Sequence, residues 1–234
     1  MAQYDAFAEF YNRDWGVEYH AQLEGVLDRL LLPHLSLGDS ILDVGCGSGQ
    51  VAARLSSRGF RVTGVDESEA MLSLARVNAP GSTFIEGDAR TFTLEPPAVG
   101  SIATFETLNH ILDPVDLESA LIAMAESTSR ISVFDLLAEV AYNVFWNGTG
   151  TVEQGGEVCE FESHFDVESR IARCRVSVGG RATTITERCY DFHFVDWVLR
   201  DQIGYKHVHR FDGMRELGMR GDIAVGRVFY QCLK

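Results

Sequence analysis

Ile41-Leu42-Asp43-Val44-Gly45-Cys46-Gly47-Ser48-Gly49-Gln50 is the stretch on which the fold of this chain turns. Strand-type apolar residues run into three glycines at alternate positions, and a helical pattern resumes at Val51, Ala52 and Leu55. Glycine leaves room for a ligand to touch backbone and permits the positive φ of a tight strand-to-helix turn. The spacing therefore describes a nucleotide-type pocket. Two phosphate-binding fingerprints do not fit it. The dinucleotide pattern wants glycine at the first, third and sixth positions, and the sixth from Gly45 is Gln50. A nucleoside-triphosphate loop ends in Gly-Lys-Ser or Gly-Lys-Thr, and neither occurs here.

Working outward, Arg61-Val62-Thr63-Gly64-Val65 reads as a second strand ending on Asp66, which closes a compact βαβ unit over residues 41–66. Ser68 caps a helix with Met71, Leu72 and Ala75 on one face, stopped by Asn78-Ala79-Pro80-Gly81. A third strand at residues 83–86 leads into Gly87-Asp88-Ala89. A fourth at 101–105 runs out through Glu106-Thr107-Leu108-Asn109-His110. Asp113 and Pro114 open a helix carrying Leu117, Leu121 and Met124, and 130–135 is a fifth strand. Five alternations of strand and helix predict a parallel α/β sheet. After about residue 147 the pattern changes to extended segments at 152–165, 169–178 and 183–190, an inserted antiparallel layer. A helix at 194–203 and strands at 205–211 and 223–232 then complete the main sheet.

The amino-terminal residues Tyr4, Phe7, Phe10, Tyr11, Trp15 and Tyr19 include three rings at helical spacing, which suits either core packing or presentation to a ligand. Leu23, Val26, Leu27, Leu30 and Leu31 mark a second helix closed by Pro33. With 46% hydrophobic and 23% charged residues the composition is that of a soluble globular chain, and no run reaches a membrane span. A net charge of −14 opposes a phosphate backbone, which argues against nucleic acid as a partner. The amino terminus lacks a secretion signal, which points to the cytoplasm. The five cysteines are widely spaced and read as free, mostly buried thiols. Asn147-Gly148-Thr149 matches a glycosylation acceptor but reads as turn chemistry. His207 and His209 share a strand face without a third ligand, so no metal is expected.

Asp43-Val44-Gly45-Cys46-Gly47-Ser48-Gly49, Gly64-Val65-Asp66 and Gly87-Asp88-Ala89, in that order, give a chain that resembles the class I S-adenosylmethionine-dependent methyltransferases. Within that family it is most similar to small bacterial enzymes acting on small molecules. The resemblance covers residues 36–140 well and the remainder in outline. It implies a Rossmann-like, doubly wound α/β fold: a seven-stranded, mostly parallel sheet whose last strand is antiparallel, with an inserted antiparallel β lid. One domain over residues 1–234 is expected, with a helical cap at 1–35, a cofactor-binding core at 36–140, a lid at about 145–190 and the end of the core sheet at 191–234.

The resemblance places Gly45, Cys46 and Gly47 against the methionine part of the cofactor, Asp66 on the ribose, and Asp88 with the Ala89 backbone on the adenine edge. Glu67 and Met71 join them as cofactor contacts. Tyr11, Trp15 and Phe105 are candidate aromatic faces for the sulfonium. His110 is a candidate base, since an imidazole near pKa 6.5 suits proton transfer at neutral pH, although a hydrogen-bonded turn histidine fits equally. Asn109, His110 and Trp146 are candidate substrate contacts. The activity implied is methyl transfer from S-adenosylmethionine to a nitrogen or oxygen of a small molecule. The alternatives are a protein or RNA methyltransferase, or a non-catalytic S-adenosylmethionine-binding protein. A monomer or homodimer without nucleic-acid or membrane partners is expected.

Overall fold

The computed structural model describes residues 3–13, 17–154 and 156–234. The main sheet has seven strands: β1 (Ser40–Val44), β2 (Arg61–Asp66), β3 (Thr83–Glu86), β4 (Ala98–Ala103), β5 (Thr128–Leu137), β10 (His207–Asp212) and β11 (Arg227–Leu233). Their order is β10-β11-β5-β4-β1-β2-β3, with β11 antiparallel to both neighbours and β1 through β5 parallel. The chain steps outward from β1 through β2 to β3 and then returns to place β4 on the other side of β1. Strand order reverses there, and a parallel sheet opens a ligand crevice at such a point.

Helices cover both faces. On one, α2 (Val17–Leu30) and α3 (Gln50–Ser57) bury Leu23, Leu27, Val51 and Leu55 against Ile41, Ile102 and Val133. On the other, α5 (Pro114–Glu126) buries Leu117, Leu121 and Met124 against Leu42, Val44 and Phe134, joined by residues of α7 (Phe192–Trp197) and the π-helical turn Val198–Gln202. Strands buried on both faces read as continuous apolar runs, which is why β1 and β5 are plain in the sequence. α4 (Glu69–Asn78) starts where Ser68 accepts the Met71 N–H, and α5 where Asp113 accepts the Val115 N–H ahead of Pro114, both as expected.

The second sheet is a four-stranded antiparallel meander, β6 (Gly148–Gln154), β7 (Glu157–Asp166), β8 (Ile171–Val178) and β9 (Arg181–Arg188), reached through α6 (Glu139–Phe145). Its inner face, including Cys159, Cys174, Val176 and Ile185, packs on Phe7 and Phe10 from the amino-terminal turn and α1 (Ala8–Arg13). Phe7 and Phe10 are therefore packing residues. Asn147 serves as turn chemistry, donating to the Tyr142 carbonyl and accepting the Phe165 N–H. All five cysteines are free and buried. His207 and His209 stack at 6.3 Å on β10.

Several strand and helix ends shift from the sequence reading by a few residues, and four of the differences have a local cause or consequence. The segment 152–165 is two strands, broken at Gly156 with φ 81°. β4 starts at Ala98, because Gly100 is a packing glycine whose added Cβ would lie 3.2 Å from Leu31. It stops at Ala103, and Thr107–His110 is a 3-10 turn where extended chain was expected. Residues 222–224 also form a 3-10 turn, leaving β11 to begin at Arg227.

Candidate active site

The ends of β1, β2, β3 and β4 open into a cavity of about 460 Å³. Tyr11, Gly45, Gly47, Asp66, Glu67, Met71, Asp88, Ala89 and Phe105 all line it, as the sequence reading grouped them. Trp15 lies outside the described residues. Cys46 does not line this cavity but the small hollow beneath the glycine turn. Its N–H donates to the Val65 carbonyl at 3.1 Å, and its thiol packs so closely on Gly64 that a Cβ there would sit 2.7 Å from the sulfur. Cys46 thus fastens the turn to β2.

The three glycines have different work. At Gly45, φ is 67° and an added Cβ would fall 2.3 Å from Thr107 Cγ2. At Gly47, with φ 51°, the nearest atom to such a Cβ is Tyr11 Cε1 at 3.9 Å, so the backbone there faces open space. Gly49 packs helix on helix, since its Cβ would meet Ala75 at 2.8 Å. Only the first two glycines belong to the cavity.

Asp66 holds the turn and faces the same space. Its Oδ2 accepts the Gly47 N–H at 2.8 Å and its Oδ1 accepts the Ser68 N–H at 2.9 Å. Burial raises its pKa, and these two amides oppose that shift. Asp88 is gripped by the Arg90 guanidinium at 2.5 Å, which holds its carboxyl below the usual range, and Arg90 also reaches Asp116 at 2.7 Å. Arg90 carries no sequence signal as a partner of Asp88. Beneath the glycine turn is a small hollow lined by three buried polar atoms: Asp43 Oδ2, His20 Nδ1 and Ser48 Oγ. Among the described residues none of the three has a hydrogen-bond partner. Burial, followed by the Asp66 charge, pushes Asp43 up to about 8, and burial brings His20 down to about 4.

A second cavity of about 410 Å³ lies between the main sheet and the antiparallel sheet. It shares Tyr4, Tyr11 and Phe105 with the first, so those rings are the partition between them. Leu137, Phe145, Trp146, Phe161 and Ile185 give it apolar walls, so Trp146, read from the sequence as a candidate substrate contact, lines this second cavity and not the first. Tyr4 was read in the sequence only as one ring of an aromatic stripe.

Phe105 and Glu106 are both left-handed, with φ 62° and 59°, a conformation that costs a non-glycine residue about 1–3 kcal/mol unless its surroundings impose it. A buried charge cluster imposes it here. Arg227 on β11, 2% exposed, donates to Asp135 Oδ2 on β5 and to Glu106 Oε1. Asp135 also accepts the Glu106 N–H at 3.3 Å and the Tyr19 hydroxyl at 3.3 Å. Tyr19 stacks on Phe105 at 4.3 Å, receives the Phe105 N–H at 3.0 Å, and has the guanidinium carbon 4.6 Å over its ring. The partition ring is thus clamped by groups from α2, β5 and β11.

His110 lines the first cavity. Its Nε2 accepts the Tyr4 hydroxyl at 2.9 Å, its Nδ1 faces the Thr186 carbonyl at 3.3 Å, and Glu187 Oε1 is 3.9 Å from Nε2. Burial lowers its pKa to about 4, so the ring is neutral at physiological pH, below the basicity its reference value suggested. Asn109 faces neither cavity. It is fully buried, donates to the Arg188 carbonyl and accepts the Leu137 N–H, which makes it a brace between β9 and β5 where a substrate contact was expected.

A glycine turn, an acid after each of the next two strands and this strand order identify the core, and residues 41–130 match the family described as methyltransferase domain. Residues 41–130 are a methyltransferase domain. Relatives agree. The ubiquinone biosynthesis O-methyltransferase of Stutzerimonas stutzeri is 32% identical over 42% of this chain and 45% of its own length. The dTDP-3-amino-3,6-dideoxy-alpha-D-glucopyranose N,N-dimethyltransferase of Streptomyces fradiae is 29% identical over 69% of this chain and 64% of its own. The chain thus spans about half to two thirds of the length of these curated relatives. Among solved structures, SAM-bound CalS10, an amino pentose methyltransferase from Micromonospora echinaspora, superposes with a TM-score of 0.74 at 22% identity, covering 96% of this chain and 95% of its own. The methyltransferase fold therefore extends beyond the matched residues to nearly the whole chain.

Proposed function

We propose that this chain transfers a methyl group from S-adenosylmethionine to a nitrogen or oxygen of a small molecule. One observation carries the reading: a cofactor-sized cavity at the strand ends meets a second, apolar cavity under the antiparallel sheet at a shared wall of Tyr4, Tyr11 and Phe105.

The first cavity fits S-adenosylmethionine on its own chemistry. The lone pairs Asp66 leaves toward the cavity suit a vicinal ribose diol. The partnerless Asp43 Oδ2 suits the ammonium of an amino-acid tail, and the hollow that contains it opens at Gly45 and Gly47. Met71 and Ala89 offer apolar contact to a purine. When bound, the cofactor supplies an electrophilic methyl on a sulfonium, which the faces of Tyr11 and Phe105 favour.

The chain's own contribution is positioning and the exclusion of water. The left-handed bend at Phe105 and Glu106, pinned by Arg227 and Asp135, fixes the opening between the cavities. The acceptor's proton has a route: the Tyr4 hydroxyl, on the shared wall, takes it while passing its own hydrogen to His110 Nε2. Among the described residues no group of His, Cys, Asp or Glu is arranged to hold a metal ion, and no helix is long and apolar enough to cross a membrane. The concave, largely apolar acceptor cavity between the two sheets and the net charge of −14 favour a small molecule over RNA or protein.

Calorimetric titration with S-adenosylhomocysteine, followed by tritiated methyl transfer into a size-fractionated lysate, tests the reading. Binding in the micromolar range with label in the small-molecule fraction is expected. No binding at millimolar ligand, or label confined to macromolecules, overturns it.

A further inference from the structure

Glu187 stands on the inward face of β9, alternating with Thr183 and Ile185, and is 3% exposed. Its Oε2 accepts the Tyr142 hydroxyl at 2.8 Å. Among the described residues its Oε1 accepts no hydrogen bond, and His110 Nε2 stands 3.9 Å away. Glu187 lines the acceptor cavity and His110 lines the cofactor cavity, so Oε1 lies where the two meet. Oε1 is turned to the open space of the cavity and not sealed in the core, so a ligand seated there can supply the donor that the protein does not.

The charge around it is unbalanced in one direction. Glu106, Asp135 and Glu187 interact with a single guanidinium, Arg227, which is the only cation among the described residues lining the cavity and already serves Glu106 and Asp135. Asp222 adds a further acid to the wall. The remaining surface is apolar, with Trp146, Phe161 and Ile185 prominent. An ammonium brings both a donor and the missing charge. A hydroxyl brings the donor alone, and a phosphate meets carboxylates with no free cation to receive it.

Resting on the methyl-transfer reading, we propose that the acceptor is an amine carried on an apolar body without phosphate, its nitrogen received by Glu187 Oε1. Burial and the Glu106 charge raise the Glu187 pKa, so a cationic ligand stabilises the ionised form that binds it, and transfer of one ammonium proton to Glu187 Oε1 then frees the nitrogen lone pair that takes the methyl.

The test is calorimetry on the full chain saturated with S-adenosylhomocysteine. Tryptamine, phenethylamine and octylamine are compared with tryptophol, phenethyl alcohol, octanol and phenethyl phosphate. At least one amine is expected to bind about tenfold or more tightly than its own alcohol, as a charge-assisted hydrogen bond in a buried site provides. In Glu187→Gln that ratio falls to near one while S-adenosylhomocysteine affinity is retained, because Glu187 is not in the wall of the cofactor cavity. The amine-to-alcohol ratio of the unaltered protein needs no variant. Equal affinities, a tighter phosphate ester, no amine binding at millimolar concentration, or an unchanged ratio in Glu187→Gln overturns the proposal. Failure of S-adenosylhomocysteine itself to bind strikes the methyl-transfer reading as well, whereas intact cofactor binding without an amine preference strikes this inference alone.

Discussion

The Tyr4 hydroxyl donates to His110 Nε2 at 2.9 Å and its ring meets the imidazole edge-on at 5.4 Å, so the amino-terminal segment is tied to the turn that follows β4, and this is the pair proposed above to take the acceptor's proton. The Thr186 carbonyl can only accept, which leaves the hydrogen on Nδ1 and the lone pair on Nε2. Tyr4→Phe removes the donor while keeping the ring. Methyl transfer is expected to slow by about 10²-fold, the usual scale of a lost acid–base group. S-adenosylhomocysteine affinity, measured on the same preparation, should be little changed.

Burial holds His110 and His20 neutral down to about pH 4. Both folded values lie below the unfolded one near 6.5, so between those limits the unfolded chain binds more protons. The contribution of these two rings to stability is thus full above about pH 6.5 and declines as the pH falls toward 4, while Asp43, raised to about 8, works in the opposite sense over the same range. The His20 share is read by difference: in urea melts, the stability of the unaltered protein relative to His20→Asn should fall as the pH drops from about 6.5 to 4. In proton–nitrogen spectra the His110 ring should not titrate between about pH 5 and 8.

Gly45→Ala and Gly47→Ala separate fold from ligand. At Gly45 the new methyl overlaps Thr107, and the positive φ adds strain. A loss of about 2–3 kcal/mol in stability is expected, on the scale of an overpacked core site. At Gly47 there is space in the protein, so the cost is the conformational one of about 1 kcal/mol. Cofactor affinity should be lost in both. Retained affinity in Gly47→Ala would put the ligand elsewhere.

Asp66→Ala removes both a diol acceptor and the anchor of the Gly47 and Ser68 amides. Two hydrogen bonds to a charged group at about 1.5–3 kcal/mol each predict a fall in S-adenosylhomocysteine affinity of at least about 100-fold by calorimetry. Asp88→Ala should cost less, because Arg90 already occupies much of that carboxylate.

Arg227→Met leaves Asp135 and Glu106 buried beside each other with no counter-charge. Destabilisation of about 3–5 kcal/mol is expected, the penalty for stranding a buried charge. Adding Asp135→Asn to that variant should recover part of it in thermal melts.

The part of the site that reads from the sequence is the part built at the ends of consecutive strands. Gly45, Gly47, Asp66 and Asp88 each stand at the end of a strand or within three residues of it, so their order along the chain is also their order along the crevice. Arg227 meets partners 92 and 121 residues away, and Tyr142 meets Glu187 45 residues on, with no local pattern to betray either. The bend at Phe105 and Glu106 is imposed by those distant groups. Residues of strand type lead into it, so extended chain was the natural expectation. Glu187 did leave a trace: an acid at an inward position of an alternating strand. Gly155-Gly156 was likewise a visible turn inside a segment read as continuous. Asp43 stands in the glycine motif itself, yet its partnerless oxygen is evident only once the hollow beneath the turn is seen.

β11 slots between β5 and β10 and carries Arg227 into the cluster that holds Phe105 and Glu106. During synthesis, the residues that form the cofactor crevice emerge from the ribosome more than a hundred positions before that arginine. A nascent chain with β1 through β5 in place therefore has the glycine turn and its acids, but not the cation that sets the partition. The gateway between the cavities is thus the part of the site whose last component is synthesised last.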